Sequence, residues 1–171
     1  IGNSASLYTL TINNNPNLVS IQGLNGLTSL IGNLLITDNA SLPNLQGLEG
    51  LTSLITVVKI LNNDNLQSLA GLDDLASASQ FLVRNNQSLS TLILNAFSTC
   101  EYITVSGNPL LQTISAPSLI IISERLIIRD NAALQTISLG SGIVLIKQTI
   151  IEDNPTLVEI GGFTLANDTA G

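Results

Sequence analysis

The sequence has no histidine, no methionine and no tryptophan, and its only cysteine is Cys100. The absence of histidine excludes Ser-His-Asp and Cys-His nucleophilic sites and every histidine-based metal site. A single cysteine also excludes disulfides within the chain. Aromatic residues make up only 3% of the chain, whereas hydrophobic residues make up 44%. A core must therefore be built from Leu, Ile and Val.

Basic residues are also scarce, since the chain has five of them and a net charge of −7. They are too few to neutralise a phosphate backbone, and aromatic stacking platforms are missing, so we expect no nucleic-acid partner. No apolar run approaches the ~18 residues that a membrane span needs, so we expect none. No stretch of the given sequence has the pattern of a signal peptide, and it opens at Ile1 without a methionine, so we expect a processed chain or a fragment of a longer one.

What the sequence does contain is an internal repeat, anchored on an asparagine that follows an aliphatic residue by three positions. Aliphatic residues recur three before the anchor, mostly also five before it, and Leu or Ile recurs three and six after it. A period of this size, held over seven copies, is typical of a solenoid. The anchor asparagines are Asn15, Asn39, Asn63, Asn86, Asn108, Asn131 and Asn154.

The spacing within each copy predicts a coil with corners. The positions five and three before the anchor have a period of two, which is typical of one face of a short strand. Successive strands would pair in parallel about 4.8 Å apart, and each anchor would lie at a corner, where its amide can bond turn backbone and the neighbouring anchor. The preceding residue is always Asn, Asp or Gly, which suits a tight turn.

We therefore predict an all-β, parallel β-helix or solenoid with about seven rungs of 22–24 residues. Residues 1–171 would form a single domain, with the repeats over about 7–163 and a C-terminal tail over 164–171. One side of the coil is regular in the first three rungs, as in GLNGLTSL and GLEGLTSL, and loses this regularity near residue 93.

Two stretches, GNLLITDNASLPNLQGLEGLTSL and ITVSGNPLLQTI, resemble the receptor L-domain-like group, a β-helical relative of the leucine-rich repeats. The shared pattern, L-x-I-x-x-N-x-x-L-x-x-I/L, covers nearly all of residues 7–163. The resemblance implies a right-handed solenoid that works outside the cell, as in growth-factor receptors, fungal wall proteins and microbial surface proteins. Because the cysteines and tryptophan that receptor versions often carry are absent, it favours a microbial surface or cell-wall relative.

The carboxylates give little indication of chemistry. The adjacent pairs Asp73–Asp74 and Glu152–Asp153 would point apart rather than face each other across a cleft, as a glycosidase requires. The corner residues Asp38, Asp130 and Asp153 could suggest calcium, but Asn and Gly fill the same column elsewhere, so we interpret it as turn chemistry. We expect no enzyme activity, no catalytic residue, no cofactor and no metal.

Three sequons are present, at Asn39, Asn86 and Asn167. The first two are anchors and are predicted to be buried, so Asn167 is the candidate glycosylation site. Cys100 falls at an inward position, where we interpret it as a small buried side chain.

The column four residues before the anchor points outward between the two inward strand positions. Four of its seven members are large aliphatic residues, and Ile127 and Ile150 would be stacked neighbours. An apolar patch of this kind usually marks an interface, although scattered aliphatic residues or cover by another part of the chain would also account for it. The candidate binding or assembly face comprises Leu35, Leu82, Thr104, Ile127 and Ile150.

These features predict a non-enzymatic recognition or adhesion module, extracellular or at a cell surface, whose partner is a protein or glycan. The alternative is a self-assembling structural subunit of an extracellular filament or wall layer, because no helix or disulfide loop caps the rungs. A more distant alternative is ice binding, suggested by a column of small hydroxyl residues five after the anchor, including Thr91, Thr113 and Thr136.

Overall fold

A computed structural model of the chain describes residues 5–52, 56–145 and 147–162. Within these ranges there is one 3-10 turn, Gln22–Leu24, and no α-helix. The strands are β1 (Ala5–Leu7), β2 (Leu10–Asn13), β3 (Leu27–Leu30), β4 (Leu34–Thr37), β5 (Val57–Leu61), β6 (Ser77–Arg84), β7 (Thr91–Ile93), β8 (Thr99–Ser106), β9 (Thr113–Ala116), β10 (Ile121–Arg129), β11 (Thr136–Leu139), β12 (Val144–Leu145), β13 (Gln148–Glu152) and β14 (Glu159–Gly161).

All strand pairings are parallel and join residues one repeat apart. The main sheet has the order β2-β4-β5-β6-β8-β10, and β12 and β13 both pair with β10. A second sheet has the order β7-β9-β11-β14, and β1 pairs with β3. The predicted parallel β-solenoid of about seven turns is confirmed.

The strands alternate between the core and the surface as their period of two requires. In β5, Val58 and Ile60 are fully buried, whereas Val57, Lys59 and Leu61 are half-buried. The columns three and six after the anchor are also buried in the inner turns, as at Leu66 and Leu69. In the first and last turns Leu18, Leu157 and Ile160 are partly exposed, since each of those turns has a described neighbour on only one side, whereas Ile21 stays buried.

In the part of the chain that the structure describes, the core is almost entirely aliphatic and contains one aromatic pair. The rings of Phe81 and Phe97 lie 5.2 Å apart at an angle of 50°. An apolar cavity of about 20 Å³ adjoins them. With apolar walls and room for about one water molecule, it is a packing defect rather than a ligand site.

The predicted change on one side of the coil is confirmed. The segments Leu45–Leu51 and Leu69–Leu75 form tight turns, whereas β7 and its successors occupy this side from Thr91 onward. The tight turns need glycine, because Gly71 has φ +111° and a Cβ on it would collide with the carbonyl oxygen of Leu45 in the preceding turn.

The corner before each anchor has a left-handed backbone, with φ between 53° and 66° in all seven turns. Asn, Asp and Gly are the residues that adopt this conformation at least cost. The turn interpretation of this column is confirmed. The corner residues are Asn14, Asp38, Asn62, Asn85, Gly107, Asp130 and Asp153.

Candidate functional site

The anchor asparagines form a continuous hydrogen-bonded ladder through the solenoid. The Oδ1 atom of Asn86 accepts hydrogen bonds from the backbone N–H of Asn63 at 3.0 Å and from its Nδ2 at 3.3 Å. The Nδ2 of Asn86 donates in turn to the carbonyl oxygens of Ile60 and Arg84, both at 3.1 Å, and to Asn108. The predicted bonding of the anchors is confirmed, and their amides are committed to the scaffold.

The five inner anchors are fully buried, which excludes glycosylation at two of the sequons. Asn39 and Asn86 have 0% exposure, and their side-chain amides are bonded on both sides. Neither can carry a glycan in the folded chain. Asn167 lies outside the described residues, so it stays a prediction.

Cys100 is a buried core residue, as the sequence predicted. Its exposure is 4%, and its Sγ lies 3.3 Å from the carbonyl oxygen of Tyr102. Burial raises the pKa of this thiol from 9.0 to about 12, so it stays protonated at neutral pH.

This raised pKa makes a testable contribution to stability at alkaline pH. The unfolded thiol ionises from about pH 9, whereas the native thiol resists ionisation up to about 12, so its contribution is present below 9 and is lost between the two values. We expect the difference in unfolding free energy between wild type and Cys100→Ala to change by about 1 kcal/mol per pH unit in this window. Urea denaturation of both proteins at a series of pH values measures it. A difference independent of pH would contradict the assignment.

The outward residues of the main sheet form a surface, the outer face, made of three columns that lie six, four and two residues before the anchors. The middle column is in register through every strand pairing, and the predicted contact of Ile127 with Ile150 is confirmed. Its members are half-buried except for the exposed Thr11, because stacked side chains cover one another's flanks. The column consists of Thr11, Leu35, Lys59, Leu82, Thr104, Ile127 and Ile150.

The two flanking columns are polar or mixed. One contains Asn33, Val57, Gln80, Tyr102, Arg125 and Gln148, and the other contains Asn13, Thr37, Leu61, Arg84, Ser106, Arg129 and Glu152. Taken alone, neither column shows a regular pattern of charge.

Taken together, the three columns concentrate the positive charge of an acidic chain. They hold four of the five basic residues, Lys59, Arg84, Arg125 and Arg129, and a single carboxylate, Glu152. The outer face therefore has a net charge of +3, and with −7 for the whole chain the remaining residues carry −10. Corner carboxylates such as Asp130 line one rim.

Most of these cations lack a carboxylate partner. Arg129 lies 3.7 Å from Glu152 and 3.5 Å from Asp130. Within the described ranges, no ion pair forms at Lys59, Arg84 or Arg125. The positive charge of the face is therefore only partly neutralised.

The fifth basic residue, Lys147, lies just before β13 at the edge of this face. It donates to Glu124 at 2.6 Å, and this hydrogen bond raises its pKa. Glu124 thereby neutralises Lys147, so this pair adds no net charge to the outer face.

A shallow groove of about 300 Å³, the corner groove, opens where the outer face meets the corner. Three of its members, Arg84, Ser106 and Arg129, are register partners on β6, β8 and β10. The groove is lined by Leu61, Asn62, Arg84, Asn85, Ser106, Gly107, Arg129 and Asp130.

The remaining candidates are accounted for by local structure. Asp73 and Asp74 are exposed, and the Asp73 carboxylate accepts a hydrogen bond from the Gly71 N–H at 3.1 Å. Among the described residues no cluster of three His, Cys, Asp or Glu side chains is placed to hold a metal ion.

The predicted hydroxyl column lies on the second sheet. Thr91, Thr113 and Thr136 are in register there, and Thr136 donates to Thr113 at 3.3 Å. Glu159 follows Thr136 at the end of this column, and the exposed Ile93 lies in the neighbouring column beside Ser115. Ice binding stays a prediction.

In the described part of the chain, no helix has the length and hydrophobicity needed to cross a membrane. Comparison with known proteins gives no match, whether with family models, with curated proteins or with solved structures.

Proposed function

We propose that the chain is a recognition or adhesion module that works at a cell surface and binds its partner through the outer face. The observation that carries this proposal is the concentration of unneutralised cations and stacked aliphatic residues on one sheet of an otherwise acidic molecule. The resemblance of the repeats to the receptor L-domain-like group supports the extracellular location and a microbial surface or cell-wall type.

The physical properties of the outer face suit this role. Seven stacked strands span about 30 Å, and the buried asparagine ladder holds them rigid, so binding costs little ordering entropy. The aliphatic column supplies contacts that gain from losing water, while the flanking cations attract an anionic partner and select against cationic ones.

The first test removes the aliphatic contacts. In a variant with Ile127→Ser and Ile150→Ser, we expect binding of the purified chain to an array of glycans and cell-surface proteins to fall at least about tenfold, since each large side chain loses over 1 kcal/mol of burial. The fold should persist, because both residues point away from the core. The matched control is Ile93→Ser with Ile120→Ser, two exposed residues outside the outer face, which should bind normally.

Two outcomes would contradict the proposal. If the Ile127→Ser and Ile150→Ser variant unfolds, as judged by circular dichroism, these residues belong to the core. If both variants lose binding equally, the outer face is not the binding surface.

A second candidate is self-assembly, which the same aliphatic column favours, because a copy of the chain could cover it. Light scattering with negative-stain microscopy at micromolar concentration would then show regular fibres or layers that the Ile127→Ser and Ile150→Ser variant does not form. A monomer under these conditions would leave recognition as the function.

A further inference from the structure

The corner groove exists because a second row of corner side chains stops at Gly107. Upstream, Asn62 donates to the Asp38 carboxylate at 2.9 Å, and Asn85 donates to the Asn62 side-chain oxygen at 3.2 Å. At the next turn, the Asn85 side-chain oxygen lies so close to the position of a Cβ on Gly107 that any side chain there would displace it. No side chain continues the row, and the space beside Ser106 is left open.

The two guanidinium groups flank this opening. Arg84 and Arg129 are two strand spacings apart, about 10 Å, with the small Ser106 between them. The Arg84 Nε donates to the Ser106 hydroxyl at 3.0 Å, which fixes the side chain against the sheet. In the described part of the chain neither Nη atom of Arg84 has a hydrogen-bond or ion-pair partner, so its bidentate edge is free.

Arg129 adds a second guanidinium charge beside the groove. Its Nε is buried and makes no hydrogen bond to any described residue, although the Asp130 carboxylate lies 3.5 Å away. Because this Nε is buried, a ligand oxygen cannot reach it unless the side chain moves, so Arg129 contributes its positive charge to the groove rather than an open donor. The groove thus combines free donors with the carboxylate of Asp130 and the amides of Asn62 and Asn85.

We propose that the corner groove binds an acidic sugar, a uronic-acid residue of a saccharide chain. Its carboxylate would pair with the free Nη edge of Arg84, because a planar carboxylate is the group that a guanidinium binds best. Its hydroxyls would bond the Asn62 and Asn85 amides and the Asp130 carboxylate, which supply both donors and acceptors. This inference rests on the proposed recognition function and names its ligand class.

The groove favours a sugar over an acidic peptide for two reasons. Its volume of about 300 Å³ is at the low end for ligand sites, which suits a sugar ring but not a peptide segment. Leu61 is its only large apolar residue, so it offers no pocket for peptide side chains.

The test is calorimetric titration of the folded chain with tetrasaccharides of galacturonic, glucuronic and mannuronic acid, each compared with its methyl ester. We expect at least one free acid to bind with a Kd below about 1 mM, and its ester, which keeps the shape but loses the charge, to bind at least tenfold more weakly. Arg84→Gln should lower the affinity about tenfold or more, as expected for charged hydrogen bonds. Arg125→Gln removes the same charge from the same face outside the groove, and it should retain the affinity within about twofold.

A filling variant provides a second measurement. Gly107→Asn introduces the residue type found at three other corners, where the left-handed backbone tolerates it. Its Cβ displaces the Asn85 side-chain oxygen, the end of a flexible side chain, so the variant fills the groove and also removes the Asn85 amide from its present position. We expect it to remove saccharide binding while thermal unfolding by circular dichroism stays close to that of the wild type. Normal binding by a folded Gly107→Asn protein would overturn the proposal.

Other outcomes also overturn it. Equal binding of acid and ester, equal effects of Arg84→Gln and Arg125→Gln, or no binding of any tetrasaccharide would each show that the groove is not an acidic-sugar site. A polyglutamate peptide that binds through Arg84 when no saccharide does would make the groove a protein contact. An array ligand that is lost in the Ile127→Ser and Ile150→Ser variant but kept in Arg84→Gln would preserve the proposed function and reject this inference alone.

Discussion

Replacing Asn86 by alanine is expected to lower the free energy of unfolding by about 4 kcal/mol. The substitution removes the acceptor of the Asn63 N–H, which is then left buried without a partner in the middle of the solenoid. It also removes the donor that bonds the Ile60 and Arg84 carbonyl oxygens and the link to Asn108. Water cannot replace these bonds, because the site is fully buried. Urea denaturation followed by circular dichroism measures the loss.

Asn15 is the matched control, because it belongs to the same ladder but is exposed. Its side chain makes two hydrogen bonds, to the Asn13 carbonyl oxygen and to Asn39, and water can replace both. We expect Asn15→Ala to cost less than about 1 kcal/mol. Similar losses for the two variants would mean that the asparagine amides contribute only locally and that the ladder does not hold the turns together.

Gly71→Ala is expected to destabilise the chain by about 3 kcal/mol or more, although it adds a single methyl group. The backbone at Gly71 has φ +111°, which strains any L-residue with a side chain. The added Cβ would also meet the carbonyl oxygen of Leu45, which belongs to the preceding turn and cannot rotate away. Relief requires the two turns to separate, which would disturb the buried leucines on either side. Thermal and urea unfolding of the variant test this.

The control for Gly71 is Gly23, where the same substitution meets nothing. No heavy atom lies within 4 Å of a Cβ built at Gly23. Gly23→Ala should therefore leave stability unchanged or raise it by up to about 1 kcal/mol, through the lower entropy of the unfolded chain. If Gly71→Ala proves equally harmless, the close approach of neighbouring turns at this glycine is not required by the fold.

The scaffold could be predicted because every turn has to satisfy the same structural requirements. Each anchor needs a small side chain that both donates and accepts at a buried corner, so asparagine recurs and marks the register. The αL corners were equally predictable, since few residues adopt that backbone at Asp38 or Asn85. Seven repetitions turned weak local preferences into a firm prediction of the solenoid.

The candidate site was harder to predict because it arises from differences between turns. The interruption of the corner row at Gly107 is one residue in a column that otherwise looks interchangeable. The positive charge of the outer face becomes apparent only when the charges of its three columns are summed. The signal was in the sequence, since Lys59, Arg84, Arg125 and Arg129 all fall at outward offsets, but each column alone appeared mixed. The free Nη edge of Arg84 depends on the hydrogen bond that its Nε donates to Ser106. The spacing of the repeat does not predict that hydrogen bond.

The unequal lengths of the turns indicate where the sequence can gain or lose residues without disturbing the fold. Successive anchors are separated by 24 residues between Asn39 and Asn63 but by only 22 between Asn86 and Asn108. One such difference in length is seen in β10, which has a bulge relative to β8 between Ile122 and Arg125, while the pairs from Arg125 to Arg129 stay in register. Insertions and deletions there leave the phase of the outer face intact. A lineage, or a protein engineer, can therefore lengthen or decorate that flank while the outer face stays in register.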